Sequence, residues 1–582
     1  MISNYFNYKV KIRFNPYTSK SGRVYDTMAA ISFYDENKKE LAYIERGYVD
    51  TEEIYQCIEK GEDINLDECY MENFSLNVFR RSRGLEKNEK ITIRNFSATD
   101  TFFDAKIITD FSFAVFEGKK VDFSQTSFIN GSVSFNSAEF GQGNVDFSYC
   151  YFNNGNVDFG NSIFGEGKLE FKNSIFGPGH KDFQYADFGV GTNSFVNTDF
   201  GTGDVSFVNV NFNDGQTSFK VARFGTGKVD FHFAHFGCDD ISFERTEFGD
   251  GKVDFRKVEF GDGKVNFNRA VFGSGDVSFE GSMLTEGRIT FLKTQFTAGN
   301  INFDICEYES SDLVFDNTDF GAGNVYFSQS KFHKLTLTSC HLNNYIDLRV
   351  AKCSYLDISD TIVRDIIDLT PYEHPVDIKI INFAGMRLLG QLYIDWKLND
   401  VKKLIDRQEK TTYRIKSEQF RVLKENYGNV GNYQYEDLAY IQFKRNEMKA
   451  QLREALDEKK WSGLWQYPFY VFKQLVIDRM GLYATSPGRV FTSLVLVYFS
   501  FTFLHVLFPF LFDTAINCIP DDTDFFTRVL DTMYYSLITF CTVGYGDCSP
   551  VGCLRGVAMI EGFVGPFMMS YFTVAFARKI LR

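Results

Sequence analysis

The sequence predicts a multidomain protein: a long β-solenoid of about 24 residues per coil, then a helical linker, then an all-α domain with two membrane spans. Three observations carry this. Phenylalanine recurs on a strict twelve-residue period through the middle of the chain, the period is lost in a charged stretch after residue 395, and two long apolar runs close the sequence. At 582 residues the chain is too long for one compact core. Its 65 Phe against 3 Trp, and 46 Gly against 10 Pro, point to a repeated motif more than to a generic interior. A net charge of −14 disfavours nonspecific nucleic-acid binding, which needs clustered Lys and Arg, and no nucleic-acid partner is expected. The 11 Cys are scattered, so neither a disulfide scaffold nor a zinc framework is indicated. The opening MISNYFNYKVKIRFNP lacks the apolar run of a signal peptide, and the N-terminus is expected in the cytosol.

Residues 1–95 mix alternating segments (YKVKIRF, AAISFY, ELAYIERGYV) with one helical stretch, Thr51 to Lys60. They read as a small, strand-rich cap on the repeat region.

Residues 96–395 are expected to form the solenoid. Phe stands at every twelfth position from 111 through 327, and a second series runs from 116 to 332, broken only by Leu284 and Tyr308. Two positions before the second-series Phe the residue is small or β-branched, as at Ala138, Cys150, Ser162, Thr198 and Val210. A large inward residue with a smaller one two before it is period-two geometry, so each Phe marks one short face of a coil. In the longer spacing the extra pair falls in FGxGxV, where glycines are expected to allow positive φ at a widened corner. Stacked coils then place like over like in continuous Phe ladders.

This pattern resembles the pentapeptide-repeat family, whose fold is a right-handed four-sided β-helix; the resemblance covers residues 111 to 395, with two-residue insertions at alternate corners. From Phe327 the steps tighten to five (Phe327, Phe332, Leu337, Leu342), and half-coils of ten to twelve residues, hence coils of about 24, fit both regions. A twelve-residue, two-layered coil is the competing geometry, and would double the length of the regular part. The outward acids Asp122, Asp146, Asp158, Glu170, Asp182, Asp230 and Asp254 read as a solvated face rather than a calcium site, since no contiguous oxygen-rich loop is present. His232, His235 and Cys238 have metal-like spacing, but both His flank inward Phe and should point outward separately. No spacing of nucleophile, base and orienting group is visible, and the chain reads as a non-enzyme without an organic cofactor.

Residues 396–460 become charged and helical. Asn399 to Asn426 and Tyr435 to Asp457 carry apolar residues at helical spacing, with YGNVGNY as the break of an α-hairpin. Residues 461–488 come next, of which Trp461 to Tyr483 is aromatic and amphipathic; it suits a helix lying at a membrane surface, or one packed on the hairpin.

Residues 489–582 hold the two spans. Val490 to Phe512 has 23 residues with no formal charge beyond His505, a reach of about 34 Å as helix. Gly556 to Ala577 contains one acid, Glu561. Arg479 and Arg489 precede the first span and Arg578, Lys579 and Arg582 follow the second, whereas Asp513 to Arg555 has six Asp and two Arg. The positive-inside rule puts both termini in the cytoplasm of a cell whose inner (plasma) membrane the chain crosses twice.

Between the spans stands TFCTVGYGD, Thr539 to Asp547, after a helix-compatible run from Asp524 to Ile538. It resembles the pore loop of potassium channels, and the whole chain resembles bacterial channels bearing pentapeptide repeats. The first resemblance covers residues 489 to 582 and implies a selectivity filter at Thr542, Val543, Gly544, Tyr545 and Gly546, with K⁺ held by the oxygens of Thr542 through Tyr545. It implies support from Tyr534, Tyr535 and Asp547, the two tyrosines bracing Tyr545; as residues alone, these tyrosines also fit lipid-interface aromatics. Where many relatives place an acid behind the filter this chain has Ile538. One chain supplies one wall, so a homotetramer in a lipid bilayer is implied.

Gly562, Gly565 and Pro566 can bend the second span, which suggests a hinge at Gly565 and Pro566 and a narrowing at Phe572 or Phe576. Glu561 needs a protonated state, a pore-helix partner or a watery crevice, unless it lies near the outer interface. Cys518, Cys548 and Cys553 share the outward segment, with their pairing open. No span carries Arg at every third residue, so no voltage sensor is expected. The function implied is a potassium-selective channel whose cytosolic β-helix is regulatory or a scaffold, with an unknown cytosolic regulator. The alternatives are a membrane-tethered binding module and a nonselective cation channel.

Overall fold

The computed structural model describes residues 5–457, 462–520 and 523–581. The chain divides into two compact units, Met1–Gln408 and Glu409–Arg582.

The first unit opens with an antiparallel sheet of Asn7–Arg13, Thr27–Tyr34 and Glu40–Tyr48. Helix α1 (Thr51–Lys60) begins where Asp50 accepts the Glu52 N–H and stops at Gly61, whose φ of 64° opens the C-terminal turn. Helix α2 (Leu76–Arg83) comes after it. Glu40–Tyr48 then pairs in parallel with Cys69–Glu72, which pairs in turn with Phe102–Asp110, so the sheet runs on into the solenoid.

Parallel pairing settles the coil. Val145 lies beside Leu169, and Leu169 beside Asn193, an offset of 24 residues that excludes the twelve-residue geometry. One face is a 14-stranded parallel sheet running from Ile64–Asn65 to Ile381–Asn382. Each coil contributes four inward rings in four ladders. Phe135 stacks on Phe159 at 4.9 Å and 6°, while Phe111 meets Phe123 on the neighbouring face at 5.3 Å and 86°. Offset stacking along each ladder and edge contacts between ladders satisfy the ring quadrupoles in both directions. Beyond Phe327 the coils lose the inserted pairs, and the offset falls to 21 residues at Val325 beside Ile346.

Three features of the corners differ from expectation. The first FGxGxV glycine takes positive φ as expected at Gly141, Gly189, Gly201, Gly249, Gly261 and Gly321 (60–64°), whereas the second, such as Gly191, serves close stacking: a Cβ there would lie 1.8 Å from the Gly167 carbonyl oxygen of the coil below. Left-handed backbone falls also two residues after the first-series Phe, at side-chain-bearing positions such as Ser137, Tyr149, Asn161 and Val221 (φ 55–60°). Their N–H groups are spent on the next coil, as Ser137 donates to the Gly160 carbonyl and Tyr149 to that of Lys172, and stacking outweighs a local cost of about 1–2 kcal/mol. The outward acids do more than face water. Asp122, Asp146, Asp158, Asp182, Asp230 and Asp254 each accept the backbone N–H two residues on, closing the turn. The buried small residues are chosen for a similar reason: Ser162 and Thr198 donate to the carbonyls of Phe135 and Phe171.

Lys181 breaks the lattice. It sits in the ladder between Val157 and Val205, 1 % exposed, and its Nζ has no partner among the described residues. Burial pushes its ammonium down from 10.5 to about 8. The unfolded chain therefore binds more protons between pH 8 and 10.5, so stability should rise with pH across that window. Lys181→Leu should stabilise the solenoid at pH 7 by about 1–3 kcal/mol and abolish that rise, as thermal unfolding at pH 7 and pH 10 would read.

The short helix α3 (Val401–Asp406) packs against the last coil, and Gln408 donates to the Ile381 carbonyl. The single helix expected over Asn399 to Asn426 is thereby broken, because Thr412 starts a new one by accepting the Ile415 N–H.

The second unit begins with that helix, α4 (Tyr413–Asn429), and α5 (Tyr433–Asp457), which form the hairpin. The break is at Gly431, φ 74°. Trp461 lies outside the described residues; α6 (Ser462–Phe472) runs into a π-helical turn, Lys473–Arg479. This segment packs on the hairpin. Asp478 is buried and accepts two bonds of 2.9 Å from the Arg445 guanidinium of α5, whereas Tyr467, Phe469 and Phe472 are exposed. Two helices are long and apolar enough to cross a membrane, α7 (Pro487–Leu511) and α9 (Leu554–Ile580); between them lies α8 (Phe525–Phe540).

Candidate functional site

Local sequence fixes each element around TVGYGD. Ser486 and Pro487 start α7, the serine accepting the Arg489 N–H. Asp524 starts α8 by accepting the Phe526 N–H, and places a negative charge at the positive end of the helix. At its other end the chain doubles back: the N–H of Val543 donates to the Ile538 carbonyl at 2.8 Å, and that of Gly544 to the same oxygen at 3.3 Å.

From there the backbone alternates. Thr542, Gly544 and Gly546 have φ of 52°, 53° and 80°, and the intervening Val543 and Tyr545 do not share that sign. Alternation between right- and left-handed residues turns successive carbonyls toward one side, which a row of cation-binding oxygens requires. Glycine provides two of these positions freely. Thr542 provides the third at a cost, since a β-branched residue at positive φ is strained. Val543 and Tyr545 are exposed in the single chain, at 50 % and 72 %.

Tyr534 and Tyr535 take separate duties. The Tyr534 hydroxyl donates to Asp547 at 2.8 Å, tying α8 to the outer end of the loop. Tyr535 is buried and meets the His505 ring edge-on at 5.1 Å. One residue beyond Asp547, Cys548 is joined to Cys518, and Cys553 is free and exposed. Closing 30 residues this way contributes about 3–4 kcal/mol by loop entropy.

Ile538 is buried, and a buried acid reaches α8 from α9. Glu561 is wholly buried, accepts 2.5 Å from Ser536 of α8 and lies 2.8 Å from His505 Nε2 of α7. Of the options the sequence left open for Glu561, a partner on the helix before TVGYGD is realised. One turn along α9, Gly565 lies so close to α8 that a Cβ would come within 1.9 Å of the Phe540 carbonyl oxygen. This glycine is thus a packing contact within an unbroken helix that also contains Pro566. Phe572 packs on Phe491 of α7 at 5.8 Å and on Phe576 at 5.9 Å; Phe576 itself is exposed.

The end of α9 is held by residues the sequence did not single out. The Tyr571 hydroxyl donates to the Ile477 carbonyl and accepts from the Ala484 N–H, across three successive left-handed residues, Leu482, Tyr483 and Ala484. Asp437 of α5 takes Arg578 at 3.1 Å and Lys579 at 3.4 Å, and Arg578 lies 4.3 Å over the Tyr440 ring. Arg582 lies outside the described residues. A local signal existed only for the charges: an acid in a helical hairpin and a basic end to the second span.

In the solenoid, the three metal-like residues are separately engaged: His232 stacks on Phe233, His235 bonds Glu259 at 2.8 Å, and the Cys238 thiol lies 3.9 Å from Asp262.

Residues 491–582 match the family model described as an ion channel. No curated protein and no solved structure matches the chain. The C-terminal unit therefore holds a segment similar to ion channels, with two helices, among the described residues, long and apolar enough to cross a membrane.

Proposed function

We propose that the protein is a tetrameric, potassium-selective channel. In this reading Thr542, Val543, Gly544, Tyr545 and Gly546 are the filter, K⁺ is the permeant ion, and the β-solenoid is a regulatory or scaffolding domain on the cytoplasmic side. The observation that carries it is the alternation of φ at Thr542, Gly544 and Gly546, within a segment matching an ion-channel family and flanked by two apolar helices. Four chains around one axis would surround a dehydrated ion with carbonyl oxygens, and would cover the exposed Val543 and Tyr545. Asp524 and five further Asp between the spans, against two Arg, would concentrate cations at the outer mouth.

Reversal potentials under opposed K⁺ and Na⁺ gradients, with full-length protein in liposomes, test this. A reversal potential that follows the K⁺ gradient supports the reading; one midway between the two gradients would make the protein a nonselective cation channel, the second reading.

Regulation is inferred from the straps on α9. Asp437 joins the hairpin to the end of the second span, so displacement of the hairpin is carried to the cytoplasmic mouth where Phe572 and Phe576 stand. Asp437→Asn should alter open probability about three- to tenfold without changing ion selectivity, the scale expected for ~1 kcal/mol of lost coupling. Single-channel recording separates the two quantities.

A further inference from the structure

The buried contact of His505 with Glu561 has no role in ion coordination, and its chemistry is unusual for the interior of a membrane domain. Both side chains are 0 % exposed, as is Ser536. The carboxylate accepts from Ser536 Oγ through one oxygen and meets His505 Nε2 through the other. His505 Nδ1 has no partner among the described residues.

The groups facing this contact are few. From α7 come His505 and Tyr498, whose hydroxyl donates to the Met533 carbonyl; from α8 come Tyr535 and Ser536, with Cys541 just beyond its end; from α9 comes Glu561. The nearest charged residues along α8 are directed elsewhere in sequence: Asp531 is five positions before Ser536, and Arg528, eight before, lies over the Phe510 ring. No Lys or Arg is paired with Glu561 among the described residues. A neutral imidazole beside a carboxylate leaves a net negative charge in a dry site. One more proton would remove that charge.

We propose that His505, Ser536 and Glu561 form a proton-binding site behind the pore helix, which takes up one proton and thereby loosens the attachment of that helix to the second span. In the unloaded state, His505 Nε2–H and the Ser536 hydroxyl both donate to the Glu561 carboxylate. A second proton on the imidazole would bury a donor at Nδ1 with no acceptor, so the proton from water adds to the Glu561 oxygen facing Ser536. That oxygen becomes the donor and Ser536 Oγ the acceptor, while the serine hydrogen turns back on a carbonyl of its own helix, as helical serines do. Two charge-assisted bonds become neutral ones, roughly half as strong. Glu561 and Gly565 are one turn apart on α9 and meet Ser536 and Phe540, one turn apart on α8, so the loosened contact adjoins the close packing that seats the filter.

Proton binding stands on the geometry alone; its effect on conduction rests on the channel reading above. The test uses full-length protein in liposomes, with infrared difference spectra and K⁺ flux recorded from about pH 8 to about pH 5, a range that brackets ordinary histidine chemistry. Acidification should produce the C=O stretch of a protonated carboxyl in the wild type, absent in Glu561→Gln and moved to higher wavenumber in Ser536→Ala, which lacks the hydrogen-bond partner. Wild-type flux should change several-fold over the range, and flux through Glu561→Gln should be flat. The proposal is overturned if no carboxyl band depends on Glu561, or if Glu561→Gln keeps the wild-type pH dependence. A Glu561-dependent band without K⁺ flux in any of the three proteins would support the proton site and overturn the channel reading.

Discussion

Gly565→Ala is expected to cut ion flux about tenfold or more, whereas Pro566→Ala should stay within about threefold of wild type, tenfold being ~1.4 kcal/mol of displaced geometry. The asymmetry comes from contact. An added methyl at 565 meets the Phe540 carbonyl oxygen at 1.9 Å, which belongs to the last turn of α8, the helix that leads into TVGYGD. Backbone cannot yield as a flexible side chain does, so the two helices must separate or the turn must shift, and Ile538, which receives the Val543 and Gly544 N–H groups, shifts with it. A hinge at this position predicts something else: both substitutions would alter opening while leaving selectivity intact. Flux ratios for K⁺ and Na⁺ in liposomes separate the outcomes. Loss of selectivity in Gly565→Ala supports packing; equal effects of both substitutions at preserved selectivity would restore the hinge.

In the solenoid, Gly191→Ala is expected to cost about 1–3 kcal/mol of stability, the usual range for overpacking, while Thr192→Ala beside it stays within about 0.5 kcal/mol. The Gly191 Cβ would stand 1.8 Å from a backbone oxygen of the coil below, and Thr192 is exposed. Because each coil touches only its neighbours, the damage should be local. Hydrogen exchange should show lost protection in the coils holding Gly167, Gly191 and Gly215, with distant coils unchanged. Uniform loss along the whole stack would contradict the near-neighbour picture.

Much of this architecture is legible from order along the chain. Phe every twelve residues fixes inward positions, and alternation fixes which neighbours face out, because side-chain direction in an extended backbone depends on local dihedrals alone. Helical spans likewise announce themselves through length and apolar composition, and TVGYGD through glycine at alternate positions. The purpose of the second FGxGxV glycine is not legible in the same way, for a physical reason. Positive φ is a local property that a motif can suggest, whereas the clearance needed at Gly191 comes from a carbonyl 24 residues away. The role of the outward acids is hidden similarly, since each serves a turn whose existence depends on stacking.

The sequence by itself determined the repeat, the two spans and the loop between them, since these depend on periodicity and on chemistry within a few residues. Tertiary structure decided that a coil holds 24 residues rather than 12, that Cys518 pairs with Cys548, and that Asp437 meets Arg578. It also decided that Glu561 of α9 meets Ser536 of α8 and His505 of α7. Each of these joins groups far apart in the chain. Such pairings are fixed by the packing free energy of the whole fold, which no local spacing records.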